Sequence, residues 1–409
     1  MTDLPTIVDA EIDAARETLV DLCAALVAAP SMSPPGHTAG VAPIVERVLD
    51  AGGVASERAF CDPDAPNIVA HVDGAGTGPQ VVFNAHMDTM QAGDETRWTV
   101  PILTQTRRDG RLYGLGMGNM KGALAAMCLA TTVLARHRDR FRGRLTMTAV
   151  CDEVMFGERG AVHLLAARPD VHGDYLISGE GPGWMELAVA EKGLLWLDVV
   201  VRGDGGHSSR ALTGRTAVAK LAALLSRIDP INSLYATVPP EIGAVTGGPD
   251  NAGLRVSLSA GTVAAGGVRS LIATTARAEI DVRLPPGVTA HEIEARVREA
   301  AEGDPDVTVT AVKAWDANWT ALDDPLTLAA VAAATAVRGR APRFVVRLPG
   351  SDARRWRALG VPAICYGPQP TLSAGVDDFA FEQDVVDCAK VYARTALALL
   401  ARQRAPAAV

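Results

Sequence analysis

Val81-Val82-Phe83-Asn84-Ala85-His86-Met87-Asp88 is the stretch on which the fold turns: an apolar run of strand character that ends on an imidazole and a carboxylate. Two later runs have the same form. Leu145-Thr146-Met147-Thr148-Ala149-Val150 leads to Asp152-Glu153, and Tyr175-Leu176-Ile177-Ser178 leads to Gly179-Glu180. Between them, the glycine-rich segment Gly114-Leu115-Gly116-Met117-Gly118-Asn119-Met120-Lys121-Gly122 opens an Ala/Leu/Met-rich helix that runs to about residue 136. Strands alternating with helices predict a largely parallel sheet covered on both faces, with ligands at the carboxyl ends of the strands.

Toward the N-terminus, residues 12–28 and 40–52 carry apolar side chains at helical spacing, separated by the Pro-rich stretch 29–36, and Ile68-Val69-Ala70 reads as a further strand. After Lys192-Gly193 the pattern changes. Residues 194–201 and 276–284 alternate as half-buried strands, and a helix starts near Thr216, which predicts an antiparallel sheet with helices. Helices follow near 325–337 and 383–402. The fold class expected is therefore α/β: a mostly parallel, doubly wound sheet domain with a smaller inserted α+β domain. The predicted boundaries are 1–191 and 313–409 for the first domain and 192–312 for the insert.

A chain of 409 residues with 48% hydrophobic side chains is long enough for two sizeable cores. Its net charge of -8 is spread along the length, and no basic stripe interleaved with aromatics is present, so small molecules rather than nucleic acid are the expected partners. No apolar stretch reaches the roughly 20 residues a membrane-spanning helix needs, and the start lacks the pattern of a secretory signal. A cytoplasmic protein without membrane partners is expected. The six cysteines are widely separated and form no CxxC pair, which argues against a disulfide framework and a thiolate zinc site.

Taken singly, the polar groups at the strand ends are weak signals. A histidine near a carboxylate is a ligand, a proton carrier or a satisfied core residue, and acidic residues after strands often cap helices. Their order along the chain is more informative. With Pro30-Ser31, Gly206-His207-Ser208-Ser209, Ile280-Asp281-Val282-Arg283, Ser351-Asp352-Ala353-Arg354 and Tyr366-Gly367-Pro368, they make the chain resemble the zinc-dependent aminoacylase, acetylornithine deacetylase, succinyl-diaminopimelate desuccinylase and carboxypeptidase-G type family over nearly its whole length.

The resemblance implies roles for individual positions. His86 and Glu180 would bind one zinc ion, Asp88 would orient His86, and Glu153 would be the general base. His207 on the insert would assist the oxyanion, often across a homodimer, so that the insert serves as a lid and dimerisation domain. Arg354 would hold a substrate carboxylate, with Arg355 beside it as the competing choice. Three positions depart from the family pattern: Asn119 replaces a bridging aspartate, Val154 a glutamate ligand and Ala374 a histidine ligand. Ser270 stands where relatives carry an asparagine that contacts the reacting group. Lys121 is a candidate for binding an anionic group of the substrate.

Valine and alanine offer no lone pairs, and a neutral amide bridges two dications poorly. The expectation drawn from these losses is an enzyme without a metal cofactor, keeping at most a weak single-zinc site at His86, Glu180 and Asn119. Glu153 and His86 would then carry acid/base chemistry at an acyl or amide carbon of an amino-acid-derived or peptide-like substrate with a carboxylate, by acyl transfer, condensation or ring closure. Single-zinc hydrolysis of N-acyl amino acids or peptides is the alternative, and a non-catalytic binding protein is the reading from another class.

Overall fold

The computed structural model describes residues 3–370 and 375–402. The chain forms two compact units, one of Met1–Val189, Thr320–Phe344 and Ser351–Val409, the other of Ala190–Trp319 and Val345–Gly350.

In the first unit the strands Arg144–Val150, Gln80–His86, Tyr175–Ser178 and Ala363–Cys365 lie side by side and run parallel. The mostly parallel sheet expected from the sequence is thus parallel at its centre. Its margins are antiparallel: Asn67–Asp73 pairs with Arg144–Val150, Ser56–Ala59 with Asn67–Asp73, and Leu187–Glu191 meets Ala363–Cys365 at Cys365 and Ala188. Ser56–Ala59 and Asn67–Asp73 follow one another in the chain and pair antiparallel, a step that needs no crossover helix.

The central strands are apolar nearly throughout because both faces are covered. Helix Gly122–Arg136 is buried at every position from Gly122 to Ala135, and it packs against helix Glu382–Leu400. Small side chains permit that approach: the face offers mainly Ala, Gly and Thr. The N-terminal helical pattern resolves into two helices, Leu4–Ala14 and Arg16–Ala28, because Ala15 leaves helical geometry (φ -90°, ψ 10°).

The second unit is built on a four-stranded antiparallel sheet in the order Ser257–Ala265, Thr275–Leu284, Gly193–Arg202, Val307–Trp315. Alternation places Leu195, Leu197, Val199 and Val201 on one face, where helices Ala217–Ile228 and Ala290–Ala301 cover them with Leu221, Leu224, Ile293 and Val297. Thr289 and Glu292 close a capping box at the start of the second helix.

Lys192 is 3% exposed in this unit and donates to the Ala252 carbonyl at 3.0 Å. Burial, with Arg255 and Arg283 adding, lowers its ammonium to about 8. The unfolded chain holds that proton to about 10.4, so between these values the native state binds fewer protons than the unfolded one. The stability contributed is complete above the upper value and is lost as pH falls through the lower. Wild type therefore gains stability between pH 8 and 10, by a few kcal/mol at most, relative to Lys192→Met. Urea midpoints of both proteins across that range check this; parallel pH profiles would refute it.

Candidate metal centre and catalytic site

Because the four central strands are parallel and in register, their carboxyl ends form one edge. His86 pairs with Val150, Asn84 with Ser178, and Ser178 with Cys365. The segments that follow leave the sheet at the same level and converge. Close approach is built in at Gly367, where an added Cβ would lie 1.9 Å from the Gly179 carbonyl oxygen.

His86 is 1% exposed. Its Nδ1 lies 2.8 Å from the backbone oxygen of Asp88, and 3.6 Å from that residue's carboxylate. An Nδ1–H donated to a carbonyl fixes the ring and directs Nε2 at the cluster, the arrangement typical of a metal-ligating histidine. Nε2 makes no hydrogen bond. It faces Glu180 Oε1 at 3.7 Å and Glu153 Oε2 at 3.8 Å.

The carboxylate of Asp88, which lies 3.6 Å from His86 Nδ1, has partners beyond that ring. Its two oxygens each accept a backbone N–H at 3.1 Å, one from Glu153 and one from Val154. It therefore anchors the loop after strand Arg144–Val150, while its main chain orients His86. The loop turns sharply at Asp152, which adopts φ 64°, and the Asp152 carboxylate secures it further by accepting from Arg159.

One ligand atom each from His86, Glu153 and Glu180 lies within 4.8 Å of the others. Glu180 is 2% exposed, whereas the side chain of Glu153 is 16% exposed and is the most open of the three. Burial raises Glu153 well above the usual carboxylate range, and the charge on Glu180 adds to the shift. Burial opposes an imidazolium at His86, but Asp88, Glu180 and Glu153 outweigh it, so this group too is held above its ordinary value. Such a cluster draws in positive charge, and a cation competes with protons for the same atoms.

Asn119 places a buried Oδ1 that has no hydrogen-bond partner, on a small cleft shared with Met90, Leu115 and Asp378. Lys121 is 1% exposed and donates to the Ala29 carbonyl at 2.9 Å; burial lowers it to about 7. Its ammonium thus has a partner inside the protein. Arg354 lies on the short helix Ala353–Ala358, half-buried, while its neighbour Arg355 donates to the Phe156 carbonyl and lies 3.8 Å from Asp352. His207 and Ser270 belong to the second unit. There they flank a two-stranded ribbon of Gly206–His207 and Leu271–Ile272, both exposed, with Ser208 N–H donating to the Ser270 carbonyl. Ala374 lies outside the described residues.

Two carboxylic acids held above their ordinary range escaped the sequence reading. Asp352 is 3% exposed and accepts from Asn84 at 3.3 Å; burial pushes it up to about 6, against the pull of Arg355. Asp378 accepts the Gly116 and Gly118 N–H groups, and burial raises it to about 7. Asp352 stands two residues before Arg354 in Ser351-Asp352-Ala353-Arg354 and Asp378 follows Asp377, but nothing in their spacing distinguishes a buried carboxyl from a solvated one.

A hydrolase of amide bonds is the class that this fold and donor cluster define. The sequence profile of peptidase family M20/M25/M40 matches residues 82–398, and the chain belongs to that family. It is 26% identical over 384 residues to a succinyl-diaminopimelate desuccinylase of Bradyrhizobium sp. strain BTAi1, covering 90% of this chain and 95% of that protein. Among solved structures it is similar to human carnosine dipeptidase 1, with a TM-score of 0.74 at 16% identity, covering 98% of this chain and 99% of the other. It is also similar to the YXEP protein of Bacillus subtilis, described as a dinuclear metal binding peptidase of this family, with a TM-score of 0.68 at 14% identity and coverage of 95% and 99%.

These findings overturn the expectation of an enzyme without a metal cofactor. Whatever the residues at Asn119 and Val154 withhold, one ligand atom each of His86, Glu153 and Glu180 lies within 4.8 Å of the others. No helix among the described residues is long and apolar enough to cross a membrane.

Proposed function

We propose that the chain is a metal-dependent amidohydrolase that cleaves an N-acyl amino acid or a related peptide-like amide with a free carboxylate. The observation that carries this reading is the buried Nε2 of His86, which makes no hydrogen bond and faces two carboxylates. His86 and Glu180 would hold a divalent cation, with the unpartnered Oδ1 of Asn119 as the third donor. When bound, the cation polarises the amide carbonyl and brings the pKa of water from 15.7 to about 7.

Glu153 is proposed as the proton carrier. Its carboxylate takes a proton from the water that adds to the carbonyl carbon; as the C–N bond breaks, the same oxygen delivers that proton to the departing nitrogen. The loop pinned by Asp88 holds it in place, and its exposure leaves it accessible to a substrate. Arg354 is assigned to the substrate carboxylate by a charge-assisted pair, the role the family resemblance gives that position. The desuccinylase relative supports N-succinyl diamino acids as the first substrates to assay.

The test is reversible chelation. Protein dialysed against a chelator, then against metal-free buffer, is assayed on N-succinyl and N-acetyl amino acids and on dipeptides, with and without Zn2+, Mn2+ or Co2+. Activity disappears on stripping and returns with the cation. Turnover that survives complete removal of metal would sink the proposal.

A further inference from the structure

We infer that this centre binds one divalent cation per chain rather than a pair. The inference rests on the metal-dependent reading above and concerns the capacity of the same site. A pair of cations about 3.5–4 Å apart needs two sets of ligands or bridging carboxylates, and a catalytic ion typically takes about three protein ligands. Among the described residues, His86, Glu153 and Glu180 form the one cluster with ligand atoms so disposed.

The other carboxylates discussed above each hold hydrogen-bond or ion-pair partners of their own. Both oxygens of Asp88 accept N–H groups from Glu153 and Val154, and both oxygens of Asp378 accept from Gly116 and Gly118. Asp352 accepts from Asn84 with one oxygen and turns the other toward Arg355. Asn119 supplies one neutral oxygen. Even if it reached the ion as a third ligand, that oxygen would lack the charge to hold two dications together. The independent sign that a ligand belongs here is again His86 Nε2, in a side chain 1% exposed and without a hydrogen bond.

The experiment is a count. Chelator-stripped protein is dialysed against excess Zn2+ and its content measured by elemental analysis; a second sample is loaded with Mn2+ and examined by electron paramagnetic resonance. One equivalent per chain and an uncoupled Mn2+ signal are expected. Glu180→Gln weakens uptake by about 100-fold or more with the circular dichroism spectrum unchanged, and the double variant Asn119→Asp, Val154→Glu acquires a second equivalent. Two equivalents in the wild type, or a spin-coupled pair, overturn the inference while leaving metal-dependent hydrolysis standing. No uptake by folded wild type overturns both.

Discussion

Glu153→Gln lowers kcat by about 1,000-fold and leaves the bound cation in place. The substitution preserves shape and removes only the ability to accept a proton, and general-base catalysis by a positioned side chain contributes roughly 100- to 10,000-fold. The loop keeps its course, because it is held by the main-chain hydrogen bonds of Glu153 and Val154 to Asp88, which the substitution does not touch. Three roles for Glu153 separate cleanly when kcat and metal content are measured on one preparation. A proton carrier loses turnover and keeps the ion. A ligand loses both together. A carboxylate that merely caps the short turn Glu153–Met155 loses neither. The middle outcome would return Glu153 to the ligand set, as its 3.8 Å distance to His86 Nε2 permits, and the last would remove the proposed base.

What the sequence revealed and what it hid follow from the range of the interactions involved. Each of the three runs that end in His86, Glu153 and Glu180 is a local signal, a few apolar residues followed by a turn, and each became a strand with its polar group at the edge of the sheet. The antiparallel ribbon and helices of the insert were equally local: period-two alternation over 276–284 and the Thr216 cap are visible in a few residues. Convergence is different in kind. Counting the replacements at Asn119 and Val154 position by position measures what was lost. It does not measure that two carboxylates from separate strands still meet one imidazole, because that depends on register between strands 60 or more residues apart, such as His86 against Val150. The expectation of a metal-free site failed for this reason.

The role of Asp88 was obscured by a finer ambiguity. In His86-Met87-Asp88 the spacing brings residue 88 near the ring, and either its side chain or its main chain is able to accept from Nδ1. The structure gives that place to the main chain, at 2.8 Å. The side chain is thereby available to the loop of Glu153, a partner 65 residues away that no local pattern announces. Asn84 behaves similarly. Its amide lies in the middle of an apolar strand, where an unpaired polar group is costly, and its partners Thr148 and Asp352 come from distant segments.

Asp88→Ala is expected to be the most damaging of the single substitutions for folding, and its pattern of effects tests the division of labour between side chain and main chain. Removing the carboxylate leaves the part-buried N–H groups of Glu153 and Val154 without these acceptors. Each hydrogen bond to a charged group is worth about 1.5–3 kcal/mol, so stability falls by roughly 3–5 kcal/mol, read as a shift in the urea midpoint. Freed of its anchor, the Glu153 loop samples other positions, and kcat drops by about 10- to 100-fold, with KM changed less. Affinity for the cation, by contrast, stays within about 10-fold, because the carbonyl that orients His86 belongs to the backbone and survives the substitution. A side-chain orienter would behave otherwise, costing about 10- to 100-fold in metal affinity as such outer partners do. Asp88→Asn, which retains one acceptor oxygen, supplies the same comparison should the alanine variant fold poorly: a larger loss in metal affinity than in kcat would assign the carboxylate to His86 and refute its assignment to the loop.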